Sequence, residues 1–235
     1  MPTGIKAKKE PSLIAACVMA VIMAFFGLLL GMVYLTSFPL EVYTSMAEQA
    51  KSIEDRATAD PIPGEAFYIE GPVQRSASWA AKRAQLLHGG AGELVLSAGE
   101  INAWLAAQFR PVPGRTSTDD TGGMTIVPGE PNVAVTKDGV FYVNLPATIS
   151  AYGFEKEYMI SATGRYGSGA PAAFKIRKLM LEGARVPLPA VFGGLLVKTV
   201  LRGYADLEEF QAIREAWTRV DAVAVAEGGL KLSLL

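Results

Sequence analysis

Lys137-Asp-Gly-Val-Phe-Tyr-Val-Asn-Leu-Pro-Ala-Thr-Ile-Ser-Ala151 is the stretch on which the fold turns. Lys137-Asp138-Gly139 has hairpin turn chemistry, because Asp and Gly accept the backbone reversal that joins two strands. Beyond it Phe141, Val143, Leu145, Ala147, Ile149 and Ala151 recur at every second position, with Tyr142, Asn144, Thr148 and Ser150 between them. A period of two is a strand, and a polar second face predicts an antiparallel sheet that buries one side only.

The neighbours extend this sheet. Val133 and Val135 alternate just before the turn, and Met124 to Val127 reads as a brief strand ahead of them. Glu155 to Arg165, with Tyr158, Ile160 and Ala162, and Ala172 to Leu181, with Phe174, Ile176, Leu179 and Leu181, are two further strands separated by glycine-rich turns. The expected result is a curved meander, ended by Gly183 and the Pro187-Leu188-Pro189 step. Ala190 to Gly203 and Leu207 to Val220 then read as two helices. Asp206 is the expected cap of the second, with Glu209 three residues on, and Phe210, Ile213, Trp217 and Val220 form its apolar stripe. Ala222 to Ala226, Gly228-Gly229 and Leu230 to Leu234 read as a terminal hairpin.

Ahead of the sheet, Ser97-Ala-Gly-Glu100 is a capping box. The Ser oxygen accepts an orphan backbone N–H, and the Glu carboxylate reaches back to the cap. Ile101, Trp104, Leu105 and Phe109 give the helix an apolar stripe, and Leu94-Val95-Leu96 is a short strand leading into it. An aspartate at position 97 is expected to serve as well, since its carboxylate accepts the same bond. Val73 to His88 reads as an alanine-rich helix with Trp79, Arg83 and Leu86 on one side and Gly89-Gly90 as its stop. Glu41 to Arg56 reads as an amphipathic helix continuing from the segment before it, broken by Asp60-Pro-Ile-Pro-Gly64.

That preceding segment is an anchor. No charge occurs from Ser12 to Leu40, and Leu13 to Leu35 is almost continuously apolar. As a helix it spans about 35 Å, enough for a hydrocarbon layer of about 30 Å. A cleaved signal usually has a shorter apolar core and a small-x-small site, which this run lacks before Pro39. Lys6, Lys8 and Lys9 before the run and Glu41 after it place the N-terminus in the cytoplasm by the positive-inside rule. Ile14-Ala-Ala-Cys17 looks like a lipoprotein box, but too few apolar residues precede Cys17 and the run continues past it. Cys17 is the only cysteine, so the exported part has neither a disulfide framework nor thiolate chemistry.

The fold class expected is therefore α+β: an N-terminal transmembrane helix, helices, a curved antiparallel meander, two C-terminal helices and a terminal hairpin. The divisions are a cytoplasmic tail over 1–11, a transmembrane anchor over 12–38, a helical lead-in over 39–90 and an exported domain over 91–235. Within the last, 110–131 is an exposed loop rich in Pro, Gly, Thr and Asp. Beyond Glu10 acidic residues outnumber basic ones by three, which leaves no electrostatic footprint for nucleic acid.

Leu94-Val-Leu-Ser-Ala-Gly-Glu-Ile-Asn102, the meander after it, and the Gly183 to Pro189 step into helices together resemble the YpmS-like type of small single-pass bacterial envelope proteins. The resemblance covers about residues 94–235, and the chain departs from it in the lead-in and in the 110–131 loop. It implies an envelope location and carries over no catalytic residue.

The candidate chemistry is sparse. His88 is the only histidine, which excludes a multi-histidine metal site, and its place at a helix C-terminus reads as capping by an imidazolium. Asp119 and Asp120 are neighbours whose side chains diverge in an extended loop, unlike the converging carboxylates of a glycosidase. Ser97-Ala-Gly and Ser168-Gly lack the G-x-S-x-G turn, and Gly89-Gly90-Ala-Gly92 lacks the Lys-Ser/Thr ending of a phosphate loop. No enzyme, cofactor or metal is expected. Ala190-Val-Phe-Gly-Gly-Leu-Leu-Val197 is apolar nearly all round, which fits a core helix or one lining a groove over the sheet. Phe192, Leu195 and Leu196 on that helix, with Phe141 and Val143 on the long strand, are the residues expected to meet a hydrophobic ligand. The expected function is an anchored envelope domain that binds a lipid or other apolar ligand. The alternative is a non-catalytic assembly subunit docked on an envelope partner protein.

Overall fold

A computed structural model describes residues 13–56, 66–110, 124–151, 153–167, 171–186, 191–226 and 228–235. The fold is α+β, with a curved antiparallel meander, a terminal hairpin and an N-terminal apolar helix. That helix, α1 (Leu13–Leu35), is long and apolar enough to cross a membrane and presents its side chains outward along its length. It is a candidate membrane anchor, the one such helix among the described residues.

The long alternating stretch is β6 (Phe141–Ala151). It lies in an antiparallel sheet with β4 (Met124–Pro128), β5 (Asn132–Val135), β7 (Phe154–Tyr166), β8 (Phe174–Leu181) and β9 (Ala184–Val186). The order is β4-β6-β7-β8-β9, with β5 pairing β6 on the same side as β4. Pro146 would ordinarily interrupt a central strand, having no N–H to give. Here it falls between the pairing of Asn132 with Asn144 and that of Pro128 with Ala147, so the ladder bond it cannot make is not required. Its carbonyl instead accepts the N–H of Gly129 at 2.7 Å.

The one-sided reading of β6 is corrected. Tyr142 and Asn144, on the supposed solvent face, are both buried. A parallel pair of short strands, β1 (Glu41–Tyr43) and β2 (Phe67–Ile69), covers them and forms a small cluster of Tyr43, Ile69, Ala134 and Tyr142. The Asn144 amide donates to Ile69 O at 2.7 Å, and its carbonyl accepts from Ser161 Oγ at 2.8 Å. A burial-paired amide of this kind looks polar in the sequence and is internal in the fold.

The lead-in differs too. The anchor does not run on into a helix; β1 intervenes, and α2 (Met46–Asp55) begins after Ser45, whose side chain accepts from Glu48 N. The helix expected from Val73 starts later, as α3 (Ser78–His88). At its C-terminus the Arg219 guanidinium, and not His88, meets the exposed carbonyls. It donates to Gly89 O at 2.6 Å and to Leu87 O at 3.0 Å, while His88 is exposed.

β3 (Gly92–Ser97) feeds α4 (Ala98–Gln108), and Ser97 and Glu100 form the reciprocal box the spacing predicts. β3 also pairs with the terminal hairpin, β10 (Val220–Ala226) and β11 (Gly229–Leu234), in a second antiparallel sheet of order β10-β11-β3. Val220 is thus a strand residue and not the end of a helical stripe. α5 (Val191–Arg202) and α6 (Glu208–Trp217) lie between the sheets in sequence. Asp206 does not cap α6: Leu207 occupies the cap position with no side-chain bond. Asp119, Asp120, Ser168 and Pro187-Leu188-Pro189 lie outside the described residues, as does most of the 110–131 loop.

The exit of α1 is fastened to the meander. The buried Glu182 carboxylate accepts from Met159 N at 2.8 Å and from Leu40 N at 3.3 Å, and Gly183 N donates to Phe38 O at 2.8 Å. A Cβ on Gly183 would stand 2.7 Å from Leu35 O and 3.0 Å from Phe38 O, so only glycine lets the two backbones approach this closely.

The cap geometry revises one expectation. Ser97 Oγ also donates to Glu100 Oε2 at 3.1 Å, so a carboxylate at 97 would face another carboxylate. Ser97→Ala should destabilise the full-length chain by about 0.5–2 kcal/mol, and Ser97→Asp should be no better than alanine at neutral pH. Urea melts of the three proteins check this; a midpoint for Ser97→Asp equal to wild type would contradict the arrangement.

Candidate functional site

Two apolar clusters fill the fold. One joins α3, α4, α6 and the three-stranded sheet around Leu86, Leu94, Trp104, Phe141 and Leu232. The other joins α5 and α6 to the meander around Phe109, Leu145, Ile160, Leu179, Val200 and Tyr204. Leu105 and Ile213 pack against both. Where the second cluster meets the helices it does not close completely.

A cleft of about 380 Å³ remains there. Its floor is the meander, with Val143, Leu145, Ile160, Ala162, Ile176 and Leu179; its walls are Leu105 and Phe109 at α4, Val197, Val200, Leu201 and Tyr204 at α5, and Phe210 and Ile213 on α6. The α5 residues recur at intervals of three, one and three, a single helical stripe. Tyr204 supplies the one polar side-chain atom, and it is committed: its hydroxyl donates to Gly129 O at 2.7 Å. Burial holds that phenol well above its ordinary pKa, so it stays neutral. Among the described residues no buried side-chain nitrogen or oxygen lacks a partner, so nothing polar is left to project into the space.

Beside it a second hollow of about 490 Å³ shares Ile176, Val197, Leu201 and Phe210 with the cleft and adds Gly193, Gly194, Lys198, Arg202, Ala205 and Arg214. The first hollow is apolar throughout, and the second gives it a charged margin.

The expected ligand residues are distributed unevenly about this space. Val143 lines the cleft. Phe141 lies one step along the same face but in the other cluster, in edge contact with Tyr166 and Phe174 at centroid distances of 5.7 Å. Leu196 is half-buried against the second cluster without lining the cleft, and Leu195 is exposed. Phe192 belongs to α5, and its side chain lies outside the described residues. An all-round apolar helix hides its own phase, so the facing stripe of Val197, Val200, Leu201 and Tyr204 was legible only from the end of α5, where the apolar character is interrupted by Lys198 and Arg202.

The walls are positioned by a buried carboxylate. Glu209 on α6 accepts from Arg83 Nε on α3 at 2.7 Å and from Trp104 Nε1 on α4 at 2.6 Å. Burial opposes its charge, but the guanidinium and the indole N–H outweigh that, and its pKa lies below the ordinary carboxylate value. Glu100, 6 % exposed at its side chain, behaves alike. Burial works against its charge, yet Lys82 at 2.6 Å, the Ser97 backbone N–H and the Ser78 hydroxyl together lower its pKa to about 2.

Among the described residues no three His, Cys, Asp or Glu side chains gather into a metal-binding group. No family model, curated protein or solved structure matches the chain.

Both carboxylates make stability depend on pH in the same sense. Their folded pKa lies below the unfolded value of 4.5, so their contribution is complete above that value and is lost on acidification. For Glu100 the loss runs from about pH 4.5 to about pH 2. Glu100→Gln should be less stable than wild type at pH 7 and show a shallower fall in Tm across that window. Parallel Tm curves for the two proteins would rule out the ionised, paired Glu100.

Proposed function

We propose that the protein is a membrane-anchored envelope domain that holds an apolar ligand, such as a lipid acyl chain, in the cleft between α5 and the meander. The observation that carries this reading is the wholly apolar lining of a 380 Å³ space whose polar neighbours are all satisfied internally. A core that only needed to be stable would be expected to close, because interiors pack densely and empty apolar volume costs stability. Ligand sites typically begin at about 300 Å³. Among the described residues no convergent acid–base or nucleophilic group lines the cleft, and the reading offered is of binding.

The placement proposed is an N-terminus in the cytoplasm, an uncleaved anchor and the rest of the chain outside, resting on Lys6, Lys8 and Lys9 before α1. Features at the anchor exit support a domain seated close to the bilayer. Lys156 Nζ donates to Thr36 O at 3.2 Å, just past the end of α1, and Met32 on α1 packs against the cluster that surrounds the cleft. Phe154, two residues before Lys156 at the start of β7, is 81 % exposed. An aromatic ring at that level suits the membrane interface. The resemblance to YpmS-like envelope proteins agrees with this placement.

An assembly subunit is the second reading, favoured by Leu195, 57 % exposed on the outer side of α5. The two part on what is found in contact with α5. With p-benzoylphenylalanine in place of Val197 in the full-length chain, irradiation of intact membranes should yield a lipid adduct by mass spectrometry. In the same protein Ala162→Leu, which fills the cleft from its floor, should diminish that adduct. A protein adduct alone would favour assembly, and the absence of any lipid adduct would overturn the binding reading.

A further inference from the structure

The apolar cleft lies directly beside the second hollow, and Ile176, Val197, Leu201 and Phe210 line both. The margin of that hollow is cationic from two sides. Lys198 and Arg202 are four residues apart on α5 and so share one helical face, and Arg214 stands on α6. All three are exposed, and among the described residues no acidic side chain lines the hollow. Asp206 and Glu208, on the connection between the helices and at the start of α6, and Glu215, next to Arg214, are exposed. The arrangement is an apolar sleeve with a positive mouth.

Volume limits what enters the sleeve. An apolar cavity of about 150 Å³ accommodates the six carbons of benzene, so 380 Å³ has room for roughly 15 carbon atoms, one acyl chain and not two. A chain of that length bearing a neutral head would leave the mouth unused. One bearing an oxyanion would place it within reach of donors that suit carboxylate and phosphate oxygens, an ammonium and a guanidinium.

We infer that the ligand is a single-chain anionic lipid, its acyl chain in the cleft and its carboxylate or phosphate oxygens at Lys198 and Arg214. This rests on the reading of the cleft as an apolar-ligand site, and adds the head group to it. Because the cations are exposed, each contributes modestly, about two- to fivefold in affinity. Their contribution declines as salt rises, whereas chain burial does not.

The test uses the full-length protein in membranes, labelled by a photoreactive, alkyne-tagged palmitate, with palmitate, lysophosphatidylglycerol or hexadecanol added as competitor. In the wild type the two anions should compete better than hexadecanol, by about four- to twenty-fivefold if both cations act. In the Lys198→Gln/Arg214→Gln variant that advantage should vanish while hexadecanol competes as before; both positions are exposed, so the fold is not at stake. Whether palmitate or the lysophospholipid competes better names the head group, and either result supports the assignment. Equal competition by all three in the wild type, or an anion advantage that survives in the variant, would overturn the charged mouth and leave the apolar site standing. Labelling that none of the three reduces would overturn both.

Discussion

Glu209 is the residue on which the arrangement of helices depends. Its carboxylate sits where α3, α4 and α6 converge, and each of the first two supplies a donor to it. A buried charge left without its partner typically costs about 3–5 kcal/mol, and Arg83, 32 % exposed at its side chain, places this pair toward the lower end. The consequence is geometric before it is energetic. Phe210, the next residue on α6, lines the cleft, as does Ile213 one turn on, and Leu105, next to Trp104 on α4, lines it from the other wall. The same carboxylate therefore fixes α4 and α6, two of the elements that wall the cleft, against each other.

Asparagine side chains do for the sheet what Glu209 does for the helices. Asn102 on α4 donates to Pro72 O at 2.8 Å and Val133 O at 2.9 Å, and accepts from Val133 N at 2.7 Å. Asn132 exchanges two bonds with the backbone of Gly71, and Asn144 donates to Ile69 O. An amide side chain carries a donor and an acceptor like a peptide unit, so each stands in for a strand neighbour where the backbone has none. The path of β2 and the residues after it is thus held by three amides, and Gly71 has no room for a side chain, since a Cβ would fall 1.7 Å from Val133 O. These bonds tie the backbone from Ile69 to Pro72 to the sheet and to α4.

The junction with α1 extends the same logic outward. Glu182 and Gly183 receive the chain as it leaves the apolar helix, and Met32 reaches the cluster around the cleft. The exit of α1 is therefore packed against the meander and not joined to it by a free linker. That coupling puts the apolar cleft, the exposed Phe154 turn and the apolar helix on one continuous body.

Much of this was legible in residues close together in sequence. The alternation from Phe141 to Ala151, the turn at Lys137-Asp-Gly139, the Ser97–Glu100 box and the length of the apolar run each follow from spacing alone, because strand, turn, cap and span are local properties of the backbone. The rest depended on partners far away. Asn144 and Tyr142 looked solvent-facing until β1 and β2 covered them. Asp206 looked like a cap, and Glu209 like the far half of its box, until Arg83 and Trp104 claimed the Glu209 carboxylate from other helices. On α5 the apolar residues gave no phase, and of the four described side chains expected at a ligand only Val143 lines the cleft. Periodicity reports which residues share a face; only packing decides what that face meets, how completely it closes, and whether a polar group on it is solvated or buried with a partner.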